Sequence, residues 1–269
     1  MGTNPDYGLA LYYQVNEKLD SSDIKIRILD DHGKILNGQP LGANKKELDK
    51  MPGLHKYVWD MHVQDKPEVK GVLTLGGRGG HLVTPGKYTV RVVVGKDSID
   101  QTFMVDADPR LDITDPAAYQ EKRKLLDQLD AAARSLNEEV NTLTAIKQQL
   151  EDFVKRPGLD TSLKRACTEV VKSIEEVDKT LVQRKQQTFQ DVINFPNQLD
   201  AELKHIEGLL EDGYLPVTNG QKMRVHDVMD KWEKSEVKIN ELYKKVGDLN
   251  QMIQEAAVPV IQVDRKAKT

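Results

Sequence analysis

The spacing of apolar residues changes at Asp108-Pro109-Arg110, and this change constrains the fold more than any other feature of the sequence. Before this tripeptide the apolar residues alternate in twos, and after it they recur every three or four residues. Side chains alternate across a strand but return to one face of a helix every 3.6 residues. The sequence therefore predicts an N-terminal β domain followed by an α-helical bundle.

The composition narrows the functions that the chain can have. Its 269 residues leave room for two domains with separate cores, and a net charge of −4 gives no reason to predict nucleic-acid binding. No run approaches the roughly 18 apolar residues of a membrane span. The single cysteine, Cys167, excludes an intrachain disulfide, and its apolar helical position favours burial as a small hydrophobic residue.

Six or seven short strands are predicted within residues 1–107. They cover residues 9–13, 24–29, 34–36, 57–63, 72–75, 87–94 and 98–105, with a polar loop between Asn37 and Leu54. Gly33 and Gly95 supply turns, and Pro85-Gly86 has the order of a type II turn. Trp59 shares one strand face with Tyr57 and Met61, which predicts a place in the core. This density of short strands and turns predicts an Ig-like β-sandwich.

Four helices are predicted within residues 115–258. The first starts at Asp115-Pro116 and reaches about Lys155, and its leucines recur every seven residues, with Lys147 interrupting the series. The second is capped by Asp160 or Thr161, loses its apolar stripe at Gln186-Gln187 and ends before Phe195-Pro196. The apolar stripes of the second, third and fourth helices comprise Leu163, Cys167, Val170, Ile174, Val177 and Leu181; Leu199, Leu203, Ile206 and Leu210; and Val225, Met229, Trp232, Ile239, Leu242, Val246, Leu249 and Ile253.

Short connections between these helices predict an elongated, antiparallel, up-and-down bundle. The third helix is too short to pair along the whole of the first, so part of an apolar seam is expected to mediate self-association or packing on another domain. The predicted organisation is an α+β multidomain chain: a β-sandwich at 1–107, a hinge at 108–114, a bundle at 115–258 and a tail at 259–269.

The sequence contains no convincing catalytic, cofactor or metal motif. No two of the six histidines are three or four residues apart, which is the spacing of metal ligands on a helix, and no Gly-x-Ser-x-Gly occurs. A pairing of His55 with His62 lacks support from the surrounding pattern. The run Gly76–Gly80 lacks the Gly-Lys-Ser/Thr and the helix of a phosphate loop, so it is interpreted as a mobile loop. We therefore predict no catalytic residue, cofactor or metal.

The N-terminal half resembles an Ig-like module of the type seen in flagellar hook-capping proteins and appended to many secreted bacterial enzymes. The residues that carry this resemblance are Tyr12-Tyr13, the run from Ile24 to Gly33, Trp59-Asp60 and the run from Pro85 to Arg91.

The residues that follow carry a narrower resemblance. Gln101–Val105, then Asp108-Pro109-Arg110 and a long helical region, are similar to the C-terminal end of sortilin-type or BNR-repeat β-propeller proteins, often labelled glycosyl hydrolases. The enzymatic label belongs to the propeller, and the Asp-box pattern of that domain is absent here. The resemblance implies a secreted or periplasmic origin, a propeller domain preceding this region, and a signal peptide at the head of the longer protein.

Three functional hypotheses follow. The first is a non-catalytic accessory region of an exported propeller protein, acting as a spacer, docking or assembly module. The second is a stand-alone carbohydrate- or protein-binding Ig-like module that would use exposed aromatic residues: Tyr7, Tyr12, Tyr13, Tyr57, Trp59 or Tyr88. The third is a hydrolase fragment with a site at the interdomain cleft near Asp106, Asp108 and Arg110. Asp60 and Asp106 could form an acid–base pair, but Asp is common in the turns at strand ends. The first is preferred because of the domain order and the missing motifs.

Overall fold

The residues that the structure describes have an α+β fold with six strands followed by four α-helices. The structure is a computed structural model that describes residues 7–19, 24–38, 48–76, 79–111, 115–213 and 215–257. The strands are β1 (Leu9–Val15), β2 (Ile24–Leu29), β3 (Ile35–Gly38), β4 (Gly53–Trp59), β5 (Gly86–Val94) and β6 (Asp97–Val105). The helices are α1 (Pro116–Val154), α2 (Thr161–Leu181), α3 (Leu199–Glu211) and α4 (Asn219–Glu255), with a 3-10 turn at Phe189–Ile193.

The strands form two antiparallel sheets. One pairs β1 with β4, and the other has the order β3-β2-β5-β6. The β5–β6 hairpin runs in unbroken register from Gly86 opposite Val105 to Val94 opposite Asp97, and Gly95 turns the chain with a φ of 58°. This register confirms the hairpin that the alternating sequence predicts. A glycine with a positive φ suits the tight turn, because its backbone twist matches that of the two strands.

Both sheets contribute to one hydrophobic core. Trp59 of β4 and Tyr88 of β5 are each 1% exposed, and Phe103 of β6 packs against them with ring centroids 6.0 to 6.3 Å apart. The indole Nε1 of Trp59 donates to the carbonyl of His62 at 3.0 Å, and the Tyr88 hydroxyl donates to the carbonyl of Thr84 at 2.6 Å. The burial of Trp59 confirms its predicted place in the core. The hydrogen bond from its Nε1 makes this burial favourable, because no polar atom of the indole is left without a partner.

Two of the predicted strands differ from the structure. The strand predicted at 57–63 is β4, which ends at Trp59 because Asp60 accepts from the amide of His62 and Met61 adopts a φ of 63°. Residues 72–75, predicted as an edge strand, are not a strand. Gly71, with a φ of 73°, turns the chain there and Val72 donates back to the carbonyl of Val69. Much of the loop predicted between Asn37 and Leu54 lies outside the described residues.

The start signals predicted for α1 and α2 are confirmed. Asp115 accepts from the amide of Ala117 at 2.9 Å, and Asp160 accepts from the amide of Ser162 at 2.7 Å, which satisfies donors that have no partner inside the helix. Thr218 accepts from the amide of Gln221 ahead of α4. The predicted stripe of α2 is buried in full, including Cys167, which is fully buried with burial raising the pKa of its thiol.

Helix α2 ends earlier than the sequence predicts. It stops at Leu181 and not shortly before Phe195, because Val182 is extended with a φ of −136° and a ψ of 150°. The polar side chain of Gln186, where the apolar stripe fades, is buried and donates to the carbonyl of Phe195 at 2.7 Å. The fading stripe therefore marks a change to irregular chain, not a polar helical segment.

The Cα positions group the chain into two compact units, and the division passes through α1, α3 and α4. Unit 1 comprises Met1–Glu68, Thr74–Arg134 and Leu203–His226, and unit 2 comprises Val69–Leu73, Ser135–Glu202 and Asp227–Thr269. The predicted hinge at 108–114 is not the line between these units, and its role as a folding boundary stays a prediction. None of the described helices is long and apolar enough to cross a bilayer.

The glycine run at 76–80 contains a matched pair of positions. A Cβ on Gly80 would lie 2.4 Å from the carbonyl oxygen of Val63, whereas a Cβ on Gly79 would meet nothing within 4 Å. Gly80→Ala should therefore destabilise the chain by about 1–3 kcal/mol through overpacking. Gly79→Ala should change stability by no more than about 0.5 kcal/mol. Urea unfolding followed by circular dichroism measures both, and equal effects would contradict this role for Gly80.

Candidate functional site

A buried ion-pair network lies within unit 1. The side chain of Lys66 is 4% exposed, and its Nζ is 2.9 Å from both carboxylate oxygens of Glu207 and 3.0 Å from Oδ1 of Asp130. Lys204 donates to Oε2 of Glu207 at 3.1 Å and to the carbonyl of Gly79 at 2.6 Å. Glu207 is only 1% exposed, so its carboxylate has almost no access to water. The ammonium groups of Lys66 and Lys204 compensate its charge in place of water.

Arg134 extends this network along α1. Its Nε donates to Oδ2 of Asp130 at 2.7 Å, and its two terminal nitrogens donate to the carbonyls of Asp65 and Gln64. Burial acts to raise the pKa of Asp130, but the charges of Lys66 and Arg134 outweigh burial and bring the pKa below its ordinary value. Asp130 is therefore an ionised partner in a structural cluster and has no proton to donate at neutral pH.

A second set of ion pairs ties the β2–β3 turn to α1. Arg123 contacts Oδ2 of Asp30 at 2.7 Å and Oδ1 of Asp31 at 3.1 Å. The buried Asp30 also accepts from the amides of His32 and Lys34 at 2.9 and 2.8 Å. The carboxylate of Asp30 thus binds both the amides of the turn and Arg123 of α1, so its role is structural.

His62 and His55 have different partners. Nε2 of His62 lies 3.5 Å from Oε1 of Glu211, and this interaction raises the pKa of His62 against the opposing effect of burial. His55 contacts the carbonyl of Met51 at 2.7 Å and Asp49 at 3.6 Å. Within the described ranges, no three His, Cys, Asp or Glu residues are grouped in a way that could hold a metal ion.

Unit 2 contains the candidate site, a cleft of about 920 Å³. One wall is formed by α1 and α2, and the other by residues 182–198, which we call the strap. The cleft is lined by Thr144, Lys147, Gln148, Glu151, Ile174, Glu175, Asp178, Lys179, Val182, Gln183, Arg184, Lys185, Asn194, Phe195, Pro196 and Gln198. A volume of this size lies within the range of pockets that take small ligands, about 300–1,000 Å³.

Hydrogen bonds from its own side chains hold the two ends of the strap together. Gln183 donates to the carbonyl of Pro196 at 3.1 Å, and Gln186 donates to the carbonyl of Phe195 at 2.7 Å and to Oδ1 of Asn197 at 3.2 Å. These bonds join its first residues to its last. The cleft is consequently preformed, because its outer wall does not depend on a ligand for its shape.

Arg184 fixes the strap to the helices. Its guanidinium donates to both carboxylate oxygens of Asp178 at 2.7 Å, to Oγ1 of Thr144 at 3.0 Å and to the carbonyl of Lys70 at 3.2 Å. This fork-shaped contact with a carboxylate is stronger and more directional than a single ion pair. Arg184 therefore acts as a rigid part of the wall, with its charge already compensated.

The remaining charges of the cleft are not balanced. Lys147 donates to Glu175 at 2.6 Å and lies 3.7 Å from Glu151, so the carboxylates on this wall have a partner. The bond from Lys147 lowers the pKa of Glu175, and the charge of Lys179 adds to that effect. In the part of the chain that the structure describes, neither Lys179 nor Lys185 forms an ion pair, which leaves the cleft with an excess of positive charge.

Asp200, in the first turn of α3, carries a perturbed carboxyl group in unit 2. Its Oδ1 is buried and has no hydrogen-bond partner among the described residues. Burial, with a contribution from the nearby Asp178, raises the pKa of Asp200 from 3.8 to about 6. The folded chain therefore holds the proton of Asp200 to a higher pH than the unfolded chain does, in contrast to Asp130 of unit 1, whose pKa is lowered.

The aromatic residues proposed as a carbohydrate platform divide into two groups. Trp59 and Tyr88 are buried in the core, and Tyr13 and Tyr57 are half-buried against it. Tyr7 and Tyr12 are exposed.

The residues proposed for an acid–base site are at the surface. Asp108 and Arg110 pair with each other, and this pairing lowers the pKa of Asp108 to about 2. Asp60 accepts from the amide of His62, and Asp106 is exposed.

Sequence reasoning did not find the cleft, although two signals bordered it. Lys147 interrupts the heptad series of α1, and the apolar stripe of α2 fades at Gln186. Both residues belong to the structure of the cleft or the strap. The pairing of Arg184 with Asp178 has no local signature, because any helical surface carries such charges.

The sequence was compared with protein-family models, curated proteins and solved structures, and none of the three comparisons finds a match. The resemblance to propeller proteins therefore rests on motifs in the sequence alone.

The Lys66 network makes a prediction for stability. Lys66→Met should destabilise the chain by about 3–5 kcal/mol, because Glu207 would remain buried with a partner removed. Lys66→Met combined with Glu207→Gln should recover part of that loss, and Lys87→Met, at an exposed position of β5, is the control. Chemical unfolding measures all three variants, and a loss below about 1 kcal/mol for Lys66→Met would show that the network is weak.

Asp200 makes a prediction for pH dependence. Its folded-state pKa exceeds its unfolded value, so ionisation of Asp200 costs stability progressively from about pH 4 to above pH 6. Asp200→Asn should therefore stabilise the chain by up to about 3 kcal/mol at pH 8 and have little effect at pH 4. Asp248→Asn, at an exposed position of α4, is the control. A pH-independent effect of Asp200→Asn in thermal unfolding would contradict this assignment.

Proposed function

We propose that this chain is a non-catalytic accessory region of an exported β-propeller protein, acting as a spacer, docking or assembly module. The observation that carries this proposal is the use of buried charge in unit 1. Lys66, Asp130 and Glu207 are held in ion pairs with one another and with neighbouring cations. Catalytic acids and bases need a titratable proton and an approach for the substrate, whereas these groups are paired and enclosed.

The finer fold belongs to the same proposal. The six strands in two sheets support an Ig-like β-sandwich, and the four helices support an elongated antiparallel bundle. An Ig-like module between a propeller and a helical region would set their spacing. Its partners would be the propeller domain of the parent protein and other copies or proteins at the bundle, without nucleic acid, and its location would be secreted or periplasmic.

Exposed apolar side chains support a docking role. Phe189 is 68% exposed and Ile193 is 84% exposed, and both lie on the single 3-10 turn of the strap with Val192 between them. Large apolar residues grouped at a surface are typical of protein interaction sites. In this proposal the turn packs on the propeller domain of the parent protein.

A second candidate is a carbohydrate-binding Ig-like module, which the exposure of Tyr12 favours. Tyr12 lies on the two-stranded sheet and is 65% exposed, and it is opposite Lys56 of β4. A flat aromatic ring next to a hydrogen-bond donor suits a sugar face. Hydrolysis near Asp108 and Arg110 ranks last, because these two residues neutralise each other.

The accessory role is tested by the size and location of the native protein. An antibody against this chain, used on membrane, periplasmic and cytoplasmic fractions of the source organism, should detect a band far above 30.4 kDa outside the cytoplasm. A cytoplasmic band near 30.4 kDa would overturn the proposal. Hydrolysis of glycosides by the purified chain would overturn its non-catalytic part, and saturable binding to a glycan panel that is lost in Tyr12→Ala would favour the second candidate.

A further inference from the structure

The cleft of unit 2 has the features of a small-molecule site and not of an ordinary helical surface. The strap forms one wall of the cleft and is held in shape by the bonds of Gln183 and Gln186, and Arg184 ties the strap to α1 and α2. A cavity that is already shaped costs a ligand little ordering of the protein, so more of the contact energy appears as affinity.

The charges of the cleft select the sign of the ligand. Its three carboxylates, on Glu151, Glu175 and Asp178, lie within reach of Lys147 or Arg184. Lys179 and Lys185 form no ion pair with any residue in the described ranges, although both line the cleft. An anionic group gains two ammonium partners there, whereas a cationic group would have to displace an existing partner.

The walls of the cleft select the body of the ligand. Ile174 of α2 and Val182, the first residue of the strap, are buried side chains, and Phe195 and Pro196 line the cleft from the other end of the strap. The ring of Phe195 lies beneath Lys185, whose Nζ is 5.8 Å from the ring centroid. An apolar surface is therefore adjacent to an ammonium group that has no carboxylate partner among the described residues, and this pairing fits a molecule with an anionic head and an apolar body.

We propose that this cleft binds an amphiphilic organic anion, with its head at Lys179 and Lys185 and its apolar body against Val182 and Phe195. The site is independent of the accessory role proposed above, because it lies within one unit and needs no propeller.

Titration calorimetry with decanoate, below its micelle concentration, tests the site on the full chain. Decanoate should bind with a stoichiometry of one. The double variant Lys179→Gln/Lys185→Gln should weaken binding by about tenfold, because two exposed charge contacts are lost. Lys96→Gln/Lys244→Gln removes the same charge from exposed positions outside the cleft, and it should leave the affinity within about twofold of the original.

Two further arms separate this site from non-specific binding. Decyltrimethylammonium, with the same chain length and opposite charge, should bind at least about tenfold more weakly than decanoate. Phe195→Ala should also weaken decanoate by about tenfold through lost apolar contact, provided that circular dichroism shows an unchanged helix content. The proposal is overturned by an absence of saturable decanoate binding, by equal losses in the two double variants, or by equal affinity for the cation.

The outcomes for the site and for the accessory role are distinguishable. A large exported parent protein combined with no decanoate binding would support the accessory role and remove the ligand site. A cytoplasmic band near 30.4 kDa combined with decanoate binding would do the reverse.

Discussion

The position of Lys66 between Glu207 and Asp130 is the interaction on which unit 1 depends. Lys66 lies between β4 and β5, Asp130 lies on α1, and Glu207 lies on α3, so one ammonium group joins three distant parts of the chain. Ions removed from water lose much more solvation energy than one contact returns, so each must find several partners. The additional bonds from Lys204 and Arg134 meet this requirement. The result is one arrangement of the strand-connecting segments on the two helices, because a shift of either helix would leave a buried charge unpaired.

Close backbone approach is the second constraint in unit 1. Gly80 lies so near Val63 that no Cβ fits. Beside it, the backbone amide of Val63 donates to the carbonyl of His81, and the amide of Val83 donates to the carbonyl of Met61. A glycine run that could suggest phosphate binding therefore includes one residue needed for packing. Its neighbour Gly79 supplies the carbonyl that accepts from both Lys66 and Lys204. The run thus joins the strands to the ion-pair network.

Unit 2 follows from the early end of α2. The chain leaves the helix at Leu181, and the strap returns across α1 and α2 before α3 begins at Leu199. Arg184 and Gln186 hold it away from a helical path, since their side chains bond to groups outside the strap or at its far end. The space that a longer α2 would have left as an open surface becomes a cleft whose lining includes four apolar residues and two lysines without an ion pair among the described residues. Affinity for a ligand here would be a consequence of how one helix ends.

The sequence by itself determined the elements whose cause is local. Period, caps and turns predict α1 and the β5–β6 hairpin nearly to the residue, because the residues that form them are neighbours along the chain. The end of α2, the absence of a strand at 72–75 and the cleft itself were decided by tertiary structure. Lys66 and Glu207 are 141 residues apart, and Arg184 finds Thr144 and Lys70 at separations of 40 and 114. Such pairs leave no periodic pattern, since a charged residue on a solvated face and one in a buried pair have the same local sequence. The candidate site therefore emerged only when the fold brought those charges together.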